Sequence, residues 1–127
     1  MNYVDDKFYK SDVTAKIIEA AYRVHNYLGN GFQEVIYQRA LEYEFIELGL
    51  KFAREMEMEI IYKEEVIGQR RVDFLVDGDI MVELKAITIL EDVQLAQLMN
   101  YIEAYHVRVG LLINFGAKKL EVKRFIK

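Results

Sequence analysis

The stretch Arg71-Val72-Asp73-Phe74-Leu75-Val76, followed by Asp77-Gly78-Asp79 and Ile80-Met81-Val82-Glu83-Leu84-Lys85, decides how this chain folds. Two apolar runs flank three turn-forming residues, the pattern of a β-hairpin. Residues two apart on a strand face the same way, so Glu83 and Lys85 project together. A two-residue turn at Asp77-Gly78 sets Asp73 opposite Val82 and Phe74 opposite Met81, which mixes polar and apolar faces. A three-residue loop, Asp77 to Asp79, places Val72, Phe74 and Val76 on one face with Ile80, Val82 and Leu84. Asp73 then lies across from Glu83 on the other face, with β-carbons about 5 Å apart and Lys85 beside them. A slip of one residue turns every side chain over, so burial selects the three-residue loop.

Upstream, Ser11 or Asp12 is expected to cap a helix running to about Leu28, with Ile17, Ala21, Val24 and Leu28 as its buried stripe. Gly29-Asn30-Gly31 ends it. A second helix is expected from about Gln33 to Leu48, burying Tyr37, Leu41, Phe45 and Leu48, with Gly49 as its stop. Three extended segments follow, about Phe52–Tyr62, Val66–Val76 and Ile80–Ala86. A third helix over about Leu90–Tyr105 comes next. Val107–Asn114 reads as a strand buried on both faces, and Leu120–Ile126 as an edge strand. The order α-α-β-β-β-α-β-β predicts an α/β fold with a mixed central sheet flanked by helices.

The 127 residues suit one domain, 1–127, with one core. With 53% apolar and 30% charged residues, the composition is that of a folded chain rather than a disordered one. No apolar run approaches the ~20 residues of a membrane span. Met1-Asn2-Tyr3-Val4-Asp5-Asp6 has neither the cationic start nor the apolar centre of a secretory signal. With no cysteine there are no disulfides and no thiolate metal sites, and the expected location is the cytoplasm. A net charge of −4 argues against coating nucleic acid by charge alone, although Arg70-Arg71, Lys118-Lys119 and Lys123-Arg124 can make local basic patches.

The chemistry concentrates around the hairpin. Two carboxylates opposed across strands repel unless a positive charge lies between them. Mg²⁺ or Mn²⁺ suits hard carboxylate ligands. Such an ion lowers the pKa of bound water and offsets charge on a scissile phosphate, and Lys85 is placed to orient water or stabilise developing charge. The plainer reading of an acid-x-lysine unit is a salt-bridged strand face; the match with Asp73 raises the functional one. Glu34 falls one turn before Tyr37 on the inward stripe of the second helix, where an acid is costly unless paired or liganding. A favourable charge at a helix start explains it as well. Gln97 and Tyr101, four apart, share the rim of the third helix's apolar face. His25 and His106 read as boundary residues. No catalytic Ser-His-Asp set, glycine-rich phosphate loop or zinc spacing is present.

These residues together resemble the PD-(D/E)xK nuclease superfamily. Gly31-Phe32-Gln33-Glu34-Val35-Ile36-Tyr37 resembles the signature of its GxxExxY group, and Gln97-x-x-x-Tyr101 is similar to the motif of RecB-type exonucleases. Val72 stands where proline precedes the acid in the motif's name. The resemblance covers about Asp12 to Ile126 and implies a restriction-endonuclease-like core. It implies Glu34, Asp73, Glu83 and the Leu84 carbonyl as the metal shell, Lys85 as the catalytic lysine, and Gln97 and Tyr101 as residues that arrange the site. The function it implies is a Mg²⁺-dependent nuclease acting on DNA. The competing readings are a catalytically silent nucleic-acid-binding module and a protein-interaction domain. Nine tyrosines and an edge strand allow a homodimer.

Overall fold

The computed structural model describes residues 8–127; the expectation for Met1–Asp6 lies outside them. Helix α1 (Ser11–Leu28) buries Ile17, Ala20, Ala21, Val24 and His25, spaced three and four apart along one stripe. Neither Ser11 nor Asp12 caps it. The N-cap is Lys10, in the left-handed region with φ 50°, and it makes no side-chain cap bond. Its amine instead reaches Asp77 and Asp79, each at 2.8 Å, while the Tyr9 hydroxyl donates to Asp79. The start of α1 is therefore fixed to the β-hairpin loop by ion pairs rather than by a local cap.

Helix α2 (Glu34–Glu47) buries Tyr37, Gln38, Leu41 and Phe45. Tyr37 anchors its approach. The Tyr37 hydroxyl donates to the Gly29 carbonyl at 2.6 Å and accepts from the Phe32 amide at 3.1 Å. Its ring stacks on Phe115 at 4.6 Å. The tyrosine thus ties the loop between the two helices to the sheet.

Strands β1 (Phe52–Tyr62), β2 (Glu65–Val76), β3 (Ile80–Lys85), β4 (Val109–Asn114) and β5 (Glu121–Ile126) form one sheet in the order β1-β2-β3-β4-β5. Only β3 and β4 run parallel, and α3 (Asp92–Ala104) makes the crossover between them. Two cores result. On one face, α1 and α2 cover Phe74, Val76, Ile80, Val82, Leu84 and Leu111. On the other, Leu98 and Ile102 of α3 cover Val72, Met81 and Leu112. The α/β class, the mixed sheet and the element order are those expected. Among the described residues, no helix is long and apolar enough to cross a membrane.

The hairpin adopts the three-residue loop: Val76 pairs with Ile80, Leu75 with Met81 and Phe74 with Val82. Asp77 and Gly78 both take positive φ, 54° and 79°. One part of the predicted pattern fails. Val72 lies in the core under α3, not with Phe74 and Val76 under α1 and α2. Alternation breaks at Asp73, where β1–β2 pairing skips the Glu55/Asp73 position and Glu55 has φ 53°. The strand changes faces there without a shift of register, since Arg54 still pairs with Phe74 and Met56 with Val72.

Gly116 holds the end of this framework together. A β-carbon there falls 2.4 Å from both the amide nitrogen and the carbonyl oxygen of Ile87, two residues past Lys85. Asn114, fully buried, clamps the same segment by accepting from the Ile87 amide at 3.0 Å and donating to its carbonyl at 2.9 Å. Gly116→Ala is expected to cost about 1–3 kcal/mol through forced backbone displacement. Chemical denaturation measures this, and an unchanged midpoint contradicts the close approach.

Candidate active site

The face switch at Asp73 builds the site. Just past the Phe74–Val82 pair, the Asp73 side chain replaces a backbone acceptor: its Oδ2 takes the Leu84 amide at 2.8 Å. Oδ1 accepts from Gln38 Nε2 at 2.8 Å. Gln38 in turn accepts from Arg54 Nε at 2.9 Å. Helix α2, β1 and β3 thus all hold one carboxylate. The amide and carbonyl of one strand residue point to the same edge, so the Leu84 carbonyl faces the gap that Asp73 occupies.

Glu83 lies beside this gap on the α3 side, with only 3% of its surface exposed. Arg70 Nη2 contacts its Oε2 at 3.0 Å, while Oε1 is buried without a hydrogen-bond partner. Burial, then the neighbouring Asp73 carboxylate, push the Glu83 carboxyl from an ordinary 4.5 up to about 8, and Arg70 only partly offsets them. When both carboxyls are ionised neither can donate a hydrogen bond, so a proton or a cation between them is what the pair lacks.

Lys85 is half-buried two residues further on the same face. Arg70, Glu83, Lys85, Gln97 and Tyr101 line one small recess of about 10 Å³, closed below by Leu98 and Leu112. That volume suits one water-sized occupant, not a nucleotide. A larger groove of about 430 Å³ runs between α1 and α2 past Val24, Tyr27, Leu28 and Tyr43, and none of the candidate acids lines it.

Glu34 is placed differently from its inward expectation. It is exposed, because it is the first residue of α2 and side chains there tilt back past the helix start. Partial desolvation, then Asp73, still raise its pKa, and Lys85 and Arg70 pull it down. It therefore stands at the rim of the site. Among the described residues, no three Asp, Glu, His or Cys side chains converge as a metal-binding group. Asp73, the partnerless Oε1 of Glu83 and the Leu84 carbonyl nevertheless make a hard-oxygen set that fits Mg²⁺ or Mn²⁺.

His25 is buried and bonds the Ala117 carbonyl at 3.0 Å, away from the acids. His106 is exposed at the end of α3. Arg70, legible in the sequence only as half of a basic pair, and Gln38 join the site in the structure. Uniform alternation puts Arg70 and Val72 opposite Glu83, and the switch at Asp73 moves them to its side. The signal for Gln38 was its place one turn after Glu34.

The model of the PD-(D/E)XK nuclease superfamily matches residues 11–125, and the chain belongs to that superfamily. Among solved structures, the crystal structure of SSO0001 is similar, with a TM-score of 0.57 and 19% sequence identity. The match covers 96% of this chain but 61% of that one, so this chain spans under two thirds of that protein's length, and at this identity the likeness shows the fold. No curated protein matches the chain.

The raised Glu83 pKa has a signed consequence. The folded protein holds a proton that the unfolded chain releases near 4.5, so metal-free stability falls as pH rises from about 4.5 to about 8. The expected loss is about 5 kcal/mol at most. Glu83→Gln should flatten this slope in denaturant titrations at several pH values. An equally steep fall in the variant would place the titrating group elsewhere.

Proposed function

We propose that the chain is a divalent-metal-dependent nuclease of the GxxExxY type that hydrolyses phosphodiester bonds in DNA. The observation that carries this reading is the buried Glu83 carboxyl beside the half-buried Asp73, with Lys85 on the face of Glu83. Asp73, Glu83 and the Leu84 carbonyl would hold Mg²⁺, with Mn²⁺ as a substitute and Glu34 approaching from the rim. Bound there, the ion would supply charge neutralisation at the phosphate and a more acidic water.

The chain's own groups account for the rest of the chemistry. In hydrolysis, water adds to phosphorus and gives up a proton to solvent, the bond to the leaving oxygen breaks, and that oxygen takes up a proton from solvent. Lys85 offers its ammonium to the phosphate oxygens, where negative charge grows, or to the incoming water. Gln97 lines the recess and is exposed at its mouth, which supports a role in bonding the phosphate or that water. The tight recess keeps bases away from the acids, so the reaction itself does not read sequence. The exposed edge and the tyrosines support pairing of two copies, one way for a small domain to cut both strands.

The net charge of −4 favours a second reading, a silent module that binds nucleic acid or protein and retains the nuclease fold. Parent and Lys85→Ala, incubated with labelled single- and double-stranded DNA and RNA in Mg²⁺, Mn²⁺ or EDTA, separate the two. Metal-dependent cleavage by the parent, reduced by about 10²-fold or more in the variant, is the expected result. Binding without cleavage by either protein supports the silent module.

A further inference from the structure

Arg70 and Tyr101 form a unit whose work is done through Glu83. The Arg70 guanidinium lies over the Tyr101 ring at 4.2 Å, a cation–π stack, while its Nη2 holds Glu83 Oε2 at 3.0 Å. Its Nε is buried without a partner, so its placement is set by the ring and the carboxylate rather than by further hydrogen bonds. Because Arg70 takes Oε2, Oε1 is left with no N–H donor, and the neighbouring group on Glu83 besides Arg70 is the Asp73 carboxyl.

We propose that Arg70, seated on the face of Tyr101, is the positioning residue that fixes Glu83 so that Oε1 is the oxygen presented to a divalent cation. This rests on the metal-site reading given above. It assigns Tyr101 a different task from direct contact with substrate: the ring face carries the guanidinium. The phenol oxygen is not required for that task, whereas the aromatic face is. Arginine is also not exchangeable for lysine here, because a compact ammonium cannot stack flat on the ring while donating sideways to a carboxylate.

Groups that hold a ligating carboxylate commonly contribute about 10–100-fold to metal affinity. The test is Mn²⁺ binding by calorimetry and by electron paramagnetic resonance, without nucleic acid, on the parent, Arg70→Ala, Arg70→Lys, Tyr101→Phe and Tyr101→Leu. Circular dichroism confirms that each variant is folded. The expected result is about 10-fold or greater weakening in Arg70→Ala, Arg70→Lys and Tyr101→Leu, with near-parental binding in Tyr101→Phe. Arg70→Ala combined with Tyr101→Leu should weaken binding no more than Arg70→Ala alone.

Parental or tighter binding by Arg70→Ala would overturn the inference, since the arginine would then compete with the ion. Weakening by Tyr101→Phe equal to that of Tyr101→Leu would overturn the role of the ring face. Absence of Mn²⁺ binding by the parent would overturn the metal-site reading itself, and the inference with it.

Discussion

The hydrogen bond from the Leu84 amide to Asp73 Oδ2 is the contact on which the site depends. A β-ladder satisfies its amides with backbone carbonyls, and a buried amide left without an acceptor costs about 1–3 kcal/mol. Here a side chain takes that place, which lets β2 leave the regular ladder without orphaning the amide. The strand then changes faces. Phe74 remains under α1 and α2, while Val72 and Arg70 pass to the α3 side. The same carboxylate is tied by Gln38 to α2, so that helix is joined to the sheet at this acid.

The electrostatics follow from that geometry. Asp73 and Glu83 lie together in a poorly solvated place, where their repulsion is strong. Arg70 lowers the cost from one side and Lys85 stands nearby, yet Glu83 remains far above the ordinary carboxyl range. The protein therefore keeps two acids where one proton or one cation is wanted. Removing Arg70 would take a cationic partner away from the buried Glu83 carboxyl.

Much of this was legible in the sequence. The hairpin register followed from burial, because only the three-residue loop keeps Val76, Ile80, Phe74 and Val82 on one face. The helix stripes and the doubly buried β4 followed from periodicity and apolar content. Three features did not. Lys10, with its ion pairs to the hairpin loop, displaced the expected cap of α1, since long-range charge pairing is invisible to local spacing. Glu34 left the inward stripe because a helical phase does not show where the helix begins. Arg70 was hidden by the face switch, which depends on a side chain standing in for backbone, whereas alternation assumes an unbroken ladder.

The central claim is that the Asp73–Glu83 gap is a seat for a divalent cation. Anomalous diffraction from crystals of the parent grown with Mn²⁺ tests it most directly. The account predicts a manganese peak bounded by Asp73, Glu83 Oε1 and the Leu84 carbonyl, with Arg70 still on Oε2. A manganese ion bound elsewhere, with this gap left to Arg70 or to a proton shared by the two acids, would contradict it.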